Sequence, residues 1–79
     1  MTMARRKIAV VKVIRGFPAD PADLTPAMIL TRKGKKEETY LSPEITEAMG
    51  SSLVAFFEAE RVDNRWWIGQ RLPDGDRGW

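Results

Sequence analysis

The first hydrophobic segment of the chain, residues 7–15 (K-I-A-V-V-K-V-I-R), is rich in β-branched residues. Such residues favour a β-strand, in which successive side chains point to opposite faces of the sheet. Both alternating sets are apolar here: Ile8, Val10 and Ile14 lie on one side, and Ala9, Val11 and Val13 on the other. An apolar pattern on both sides is typical of a strand that is covered on two faces.

Residues 16–26 (G-F-P-A-D-P-A-D-L-T-P) carry three prolines. They are predicted to form a loop, because proline cannot donate the backbone hydrogen bonds of a regular strand. Residues 28–32 and 37–41 then flank the sequence K-G-K-K. This arrangement predicts a β-hairpin with a strongly basic tip.

A short helix is predicted directly after this hairpin. Ser42 is a favourable N-cap, Pro43 fits the first helical position, and Gly50 is a typical helix terminator. Two turns are too few for an isolated helix to be stable in water, so this helix is expected to pack against the sheet.

A second hairpin is predicted over residues 53–62 and 65–72. The two segments are joined by Asp63 and Asn64, residue types that tolerate the left-handed backbone conformation of tight turns. A two-residue turn defines the cross-strand pairs, which are Val62 with Arg65, Arg61 with Trp66, Ala59 with Ile68 and Phe57 with Gln70. One face of the hairpin is then apolar and belongs to the core: Ala55, Phe57, Ala59, Trp66, Ile68 and Leu72. A slip by one residue would mix polar and apolar side chains on both faces.

In this register Trp66 points into the core and Trp67 points outward. Trp67 shares the outer face with Phe56 and Val62, and with a polar rim of Glu58, Glu60 and Arg71. Two interpretations of Trp67 stay open. Either the helix or the proline-rich loop covers it as a second layer, or it anchors a protein interface, where tryptophan and arginine are enriched. Trp79 is a second candidate anchor.

The composition argues against catalysis. The 79 residues contain no cysteine and no histidine, so the commonest metal ligands and the commonest general base are missing. We therefore expect no enzyme activity, no metal and no cofactor. The chain is predicted to form one domain over residues 1–79, with flexible ends at 1–6 and 74–79. A domain of this size without disulfides often gains stability by dimerising, and a homodimer is an open alternative.

The pattern of apolar residues gives no indication of a membrane segment. The longest apolar run, Ile8 to Val11, spans four residues, whereas a membrane-spanning helix requires about 20. The basic start of the chain is not followed by the apolar region of a secretory signal. The expected location is the cytoplasm, without membrane binding.

Charge is distributed unevenly along the chain. Residues 1–36 contain nine Lys or Arg and two acidic residues (+7), whereas residues 37–79 contain four and nine (−5). If the first two strands are antiparallel neighbours, one end of the sheet gathers Arg5, Arg6, Lys7, Arg32, Lys33, Lys35 and Lys36. Such a cluster suits phosphate binding with a steep salt dependence. The alternative is a solvated hairpin tip beside a basic terminus, and no aromatic RNP motif or recognition helix accompanies the cluster.

About half of the chain, from the strand at residues 37–41 to the hairpin at 53–72, resembles swapped-hairpin DNA-binding antitoxins and transition-state regulators of the AbrB/MazE type in the order of its elements. In that family a proline and a short helix ending in glycine precede a long hairpin, as L-S-P-E-I-T-E-A-M-G does at residues 41–50. The resemblance implies DNA binding by a strand with glycine and basic residues. Here that strand is Glu37-Glu38-Thr39-Tyr40-Leu41, which has two acids and no arginine.

The short, charge-polarised chain with its outward aromatic residues also resembles small phage or mobile-element inhibitors such as anti-CRISPR proteins. Those proteins act by occupying a surface of a host complex. The resemblance implies an inhibitor, and it assigns a role to no particular residue.

Together, these patterns predict a single α+β domain with a curved antiparallel sheet of four or five strands and one short helix. The predicted function is non-catalytic binding that sterically occludes a protein or ribonucleoprotein partner, as in a phage-encoded inhibitor of a nucleic-acid-handling complex. The expected anchors are Phe56, Trp67 and Trp79, and the basic cluster is expected to steer the encounter. The alternative is a small DNA-binding regulator that uses the basic cluster directly.

Overall fold

The structure is a computed structural model that describes residues 7–73, with side chains from Ile8 onward. The predictions for residues 1–6 and 74–79, for the side chain of Lys7 and for Trp79 lie outside the described residues. These predictions include the flexible ends, and the positions of Arg5 and Arg6 in the basic cluster.

The described residues form five strands and one helix: β1 (Lys7–Arg15), β2 (Thr25–Leu30), β3 (Lys36–Leu41), α1 (Pro43–Met49), β4 (Val54–Val62) and β5 (Arg65–Arg71). The strands make one sheet in the order β3-β2-β1-β4-β5, and all neighbouring strands are antiparallel. This confirms the predicted α+β domain with a curved antiparallel sheet and one short helix. Within residues 7–73, no helix is long and apolar enough to cross a membrane.

β2 begins at Thr25 and includes Pro26, so the prediction of a loop over residues 16–26 was wrong for its last two residues. The Pro26 carbonyl accepts a hydrogen bond from the Gly16 amide (2.8 Å), just beyond the end of β1. The nitrogen of Pro26 faces the same side but carries no hydrogen, so it cannot donate to the Gly16 carbonyl. Arg15 Nε instead donates to the Gly16 carbonyl (3.3 Å), which explains how the sheet accommodates a proline.

The hydrophobic core lies on the face of the sheet that α1 covers. Its buried members come from four strands and the helix: Val11, Val13, Ile29, Leu41, Met49, Ala55, Phe57 and Ala59. Four partly buried residues pack against them, namely Ala27, Ile45, Trp66 and Ile68. Trp66 therefore faces the core, as the register predicted.

The other face of the sheet has no second layer among the described residues, so the prediction that β1 is covered on both faces was wrong. Val11 and Val13 are fully buried, but Ile8 on the opposite face of the same strand is 68% exposed. The reason is a shortage of covering elements, because the seven residues of α1 span only about 10 Å on one side of the sheet. We call the uncovered side the open face: Ile8, Val10, Ile14, Met28, Tyr40, Val54, Phe56, Val62 and Trp67 with the polar residues between them.

The helix begins and ends where the sequence predicts. The Ser42 hydroxyl accepts a hydrogen bond from the Ile45 amide (3.3 Å), as an N-cap does. Gly50 follows the last turn with φ of 59°, a conformation that favours glycine. Met49 is buried in the core, so packing on the sheet compensates for the shortness of the helix.

The hairpin of β4 and β5 keeps the predicted register near its turn and loses it farther away. Asp63 and Asn64 have φ of 50° and 65°, as a two-residue turn requires. The predicted pairs Val62–Arg65, Arg61–Trp66 and Ala59–Ile68 are all confirmed.

Beyond Ile68, β5 contains a bulge that the sequence analysis did not predict. Phe57 faces Arg71 instead of Gln70, because two residues of β5 oppose the single residue Glu58. A Cβ atom on Gly69 would lie only 3.4 Å from the Glu58 carbonyl oxygen, so the bulge occurs where glycine permits close approach. The bulge moves Arg71 to the α1 side of the sheet.

Candidate functional site

Trp67 lies at the centre of one exposed patch of the open face. Its cross-strand partner is Glu60, and the partner of Glu60 on the next strand is Ile8. Trp67 is 59% exposed, and Val62 beside it is also exposed. We call Ile8, Glu60, Val62 and Trp67 the Trp67 patch. Within residues 7–73, neither the helix nor the proline-rich loop covers Trp67, which leaves the interface interpretation open.

Not all of the other residues predicted to surround Trp67 lie near it. Glu58 and Glu60 share its face, as predicted. Phe56 also lies on the open face, but it is four residues from Glu60 along β4, roughly 13 Å away at the usual rise of a strand. Phe56 is half-buried, so it belongs to the middle of the open face and not to the surroundings of Trp67.

The prediction that Arg71 forms part of the rim around Trp67 was wrong, because the bulge turns this side chain toward α1. Arg71 Nη1 donates to the carbonyls of Ala48 (2.8 Å) and Met49 (3.3 Å), at the C-terminal end of the helix. Its Nη2 donates to Ser52 Oγ (3.3 Å). A cation bound to the last carbonyls of a helix also interacts favourably with the helix dipole. Arg71 therefore connects β5 to α1.

A second exposed patch, which sequence reasoning missed, lies at the other end of the open face. Tyr40 is 69% exposed and faces Pro26 across β3 and β2. The next cross-strand row is Met28, Ile14 and Val54. Together with Tyr40 and Pro26 this row forms what we call the Tyr40 patch, and a groove of about 600 Å³ runs along part of it. Two features of the sequence together could have revealed this patch. Both faces of β1 are apolar, and the one short helix that the sequence predicts can cover only one of them.

The basic tip of the β2–β3 hairpin lies beside the first half of β1, as expected if the first two strands are antiparallel neighbours. An open groove of about 910 Å³ separates β1 at Ile8–Val10 from this tip. Five cations line it, namely Arg61 on β4 and the four of the hairpin tip: Arg32, Lys33, Lys35 and Lys36. We call this space the basic groove. The structure thus brings together four of the seven predicted basic side chains, while the other three fall outside the described side chains.

One wall of the basic groove is built by an ion pair that connects distant strands. Arg61 Nη1 on β4 donates to both carboxylate oxygens of Glu37 on β3 (3.1 and 3.3 Å). The Arg61 guanidinium carbon lies 5.1 Å from the ring centroid of Trp66, in cation–π geometry. Because β2 and β1 separate these strands in the sheet order, the contact shows how strongly the sheet curls. No local sequence signal indicates a pair that is 24 residues apart.

Charge is unevenly distributed in space as well, but the two ends of the sheet do not correspond to the basic and acidic parts of the chain. The antiparallel topology places the start of β1, the tip between β2 and β3, and the turn between β4 and β5 at one end of the sheet. That end holds the basic groove with Arg61 and Arg65, together with the acidic residues Glu37, Glu60 and Asp63. The opposite end holds α1 and the loop after β1, with the acidic residues Asp20, Asp23, Glu44 and Glu47.

Among residues 7–73, no group of three or more side chains of the types His, Cys, Asp or Glu is arranged to hold a metal ion. No protein-family model, no curated protein and no solved structure matches the chain at a significant level. Both resemblances suggested by the sequence therefore stay predictions.

Proposed function

We propose that this protein is a non-catalytic binding protein that captures a protein partner on the open face. One observation carries the proposal: the face opposite α1 exposes three large hydrophobic residues by more than half, namely Ile8, Tyr40 and Trp67. A sheet of this size normally buries such residues under a second layer. Ile8 and Trp67 belong to one exposed apolar patch and Tyr40 to a second, and such patches on a small domain are typical of interaction sites.

The composition of the open face agrees with that of protein interfaces. Aromatic residues such as Trp67 and Tyr40 dominate the binding energy of many interfaces, and surrounding polar residues exclude water from them. Glu58 and Arg65 are exposed on the same side of the sheet and are placed to act as such a rim. The site of the proposed function thus comprises the Trp67 patch and the Tyr40 patch.

The specific form that we propose is steric occlusion of a nucleic-acid-handling complex, as the resemblance to small phage inhibitors implies. The position of the basic groove supports this form. Ile8 lines the groove and also belongs to the Trp67 patch. A partner that carries nucleic acid would therefore meet cations directly beside the apolar anchors, and long-range attraction would speed its association.

Site-specific photo-crosslinking in cells tests this proposal. Benzoylphenylalanine replaces Trp67 in one variant, Tyr40 in a second and Glu47, which is exposed on α1, in a control. We expect the first two variants to form crosslinks to the same partner protein and the control to form none. Absence of crosslinks at both open-face positions would contradict the proposal, as would crosslinks only to a second copy of the chain.

Direct nucleic-acid binding is the second candidate function, because four cations of the hairpin tip line a single groove. On this hypothesis Arg32, Lys33, Lys35 and Lys36 contact phosphates, and the open face has no part in binding. The two candidates differ in which variants lose binding. Open-face variants affect the first function, and charge reversal at the hairpin tip affects the second.

A further inference from the structure

The first half of β1 has an unpaired edge that faces the basic groove. β1 pairs with β4 from Lys7 to Ile14 but with β2 only from Lys12 to Arg15. β2 ends at Leu30, opposite Lys12, and the chain then turns away toward Lys36. Among the described residues, no strand pairs with the β2 side of β1 before Lys12.

The hydrogen bonds at the end of β1 show which main-chain groups face this edge. The Arg15 amide donates to the Leu53 carbonyl on the β4 side (3.0 Å), and the Gly16 amide donates to the Pro26 carbonyl on the β2 side (2.8 Å). The amides and carbonyls of successive strand residues point to alternate sides. Those of Ile8 and Val10 therefore point away from β4 and into the basic groove.

The charge around this edge is strongly positive. Among the described residues, Arg32, Lys33, Lys35 and Lys36 form no ion pair. The acidic residues that line the groove are Glu37 and Glu58, and Glu37 is bound to Arg61. A ligand with negative charge would thus be attracted to the same place where β1 offers unpaired amides and carbonyls.

We propose that an extended acidic segment of a partner protein binds in the basic groove as an added antiparallel or parallel strand on β1. Strand addition to an exposed edge is a common mode of peptide recognition, in which main-chain hydrogen bonds supply affinity. The groove volume of about 910 Å³ suits such a ligand, since binding sites for small ligands enclose roughly 300–1,000 Å³. This site uses backbone atoms of β1 and is separate from Trp67 and Tyr40.

Two other occupants fit the edge less well. A second copy of the chain, paired through the same edge, would bring two basic tips together, and like charges disfavour such pairing. Nucleic acid would satisfy the cations, but its bases and phosphates do not present the alternating donors and acceptors that Ile8 and Val10 require. An acidic peptide satisfies both the charges and the backbone groups.

Binding of a fluorescein-labelled seven-residue peptide of alternating Glu and Val tests the proposal. The matched control peptide has the same side chains, but every backbone amide is N-methylated. We expect the control to bind at least about tenfold more weakly, because it cannot donate the hydrogen bonds of a strand. Lys33→Glu with Lys35→Glu should weaken binding of the unmodified peptide by a similar factor, whereas Trp67→Ala and Ala22→Glu, an exposed position in the loop after β1, should leave it unchanged.

Hydrogen exchange of individual amides provides the second measurement. In the free protein the amides of Ile8 and Val10 should exchange rapidly, whereas those of Ala9 and Val11, which face β4, should be protected. The peptide should protect Ile8 and Val10.

Equal affinity of the two peptides, no new protection at these amides, or binding of oligothymidine but not of the peptide would overturn the proposal. Protection of Ile8 and Val10 that rises with protein concentration alone would also overturn it and would indicate a dimer.

Discussion

At the scale of single residues, Trp66 and Trp67 have opposite roles although they are neighbours in the chain. Trp66 packs against the core and holds the Arg61 guanidinium over its ring. Trp67 is 59% exposed beside Glu60. We therefore expect changes at Trp66 to affect mainly the stability of the fold, and changes at Trp67 to affect mainly partner binding.

We predict that Trp66→Ala lowers the free energy of unfolding by about 2 kcal/mol, because it removes half-buried packing and the cation–π contact. Trp67→Ala should cost less than about 1 kcal/mol of stability, since only cross-strand contacts are lost. The same change should weaken partner binding by about 30-fold, corresponding to the 2 kcal/mol expected of an anchor. Urea denaturation monitored by circular dichroism checks the stabilities. Unfolding of the Trp67→Ala variant would show instead that Trp67 is part of the core.

The alternation of strand residues was sufficient to predict this difference from the sequence. Arg61 and Trp66 next to a two-residue turn fix the register, and the register decides which tryptophan is inside. The same reasoning failed for Arg71, because a bulge shifts every later residue to the other face. The bulge occurs at Gly69. Because glycine is also found in strands with regular pairing, the sequence did not show that the register of β5 changes after this residue.

At the scale of elements, the contact between β5 and α1 depends on Arg71. The helix has no basic residue in its last turn, and Arg71 supplies the cation from a strand. The caps of the helix were predictable, because Ser42 and Gly50 act locally. Its attachment to β5 was not, because it requires the bulge and a contact 23 residues away.

We predict that Arg71→Gln lowers the free energy of unfolding by about 1–2 kcal/mol, since charge-assisted hydrogen bonds to the helix carbonyls are lost. Arg71→Lys should recover part of this stability, because a single ammonium can still bind one carbonyl. The control is Arg65→Gln, an exposed residue of the same strand, which should change stability by no more than about 0.5 kcal/mol. Equal effects of Arg71→Gln and Arg65→Gln on thermal unfolding would show that the contact with α1 contributes nothing measurable.

At the scale of the whole molecule, the single helix within residues 7–73 covers one face of a curled sheet of five strands. The strands were predictable from their alternation and turn residues, and so was the antiparallel arrangement. The sequence predicted that β1 is covered on both sides, because both of its faces carry apolar side chains. Such side chains are found equally under a second layer of the domain and under a bound partner, so the pattern alone does not distinguish the two. The second face is open because the described residues contain only one helix to cover the sheet. The apolar pattern of β1 does not indicate this.

The topology also places the four cations of the hairpin tip at one end of the sheet, which leads to a prediction about salt. Random-sequence duplex DNA should bind the basic groove at about 50 mM salt and lose affinity about a hundredfold by 200 mM, as expected for contacts to four phosphates. Replacement of Lys33, Lys35 and Lys36 by glutamate should abolish this binding, whereas Trp67→Ala should not affect it. Titration of labelled duplex by fluorescence anisotropy measures both effects.

The affinity that remains at about 200 mM salt distinguishes the two candidate functions, because non-specific phosphate contacts are largely lost in that range. A regulator that reads DNA retains tight binding to a preferred sequence under these conditions. A protein that captures a partner on the open face retains none, since its cations act only to attract the partner over a distance of about a Debye length. Binding that survives both the salt and the charge reversal would place the DNA contact outside the basic groove, and the electrostatic role of the hairpin tip would then be rejected.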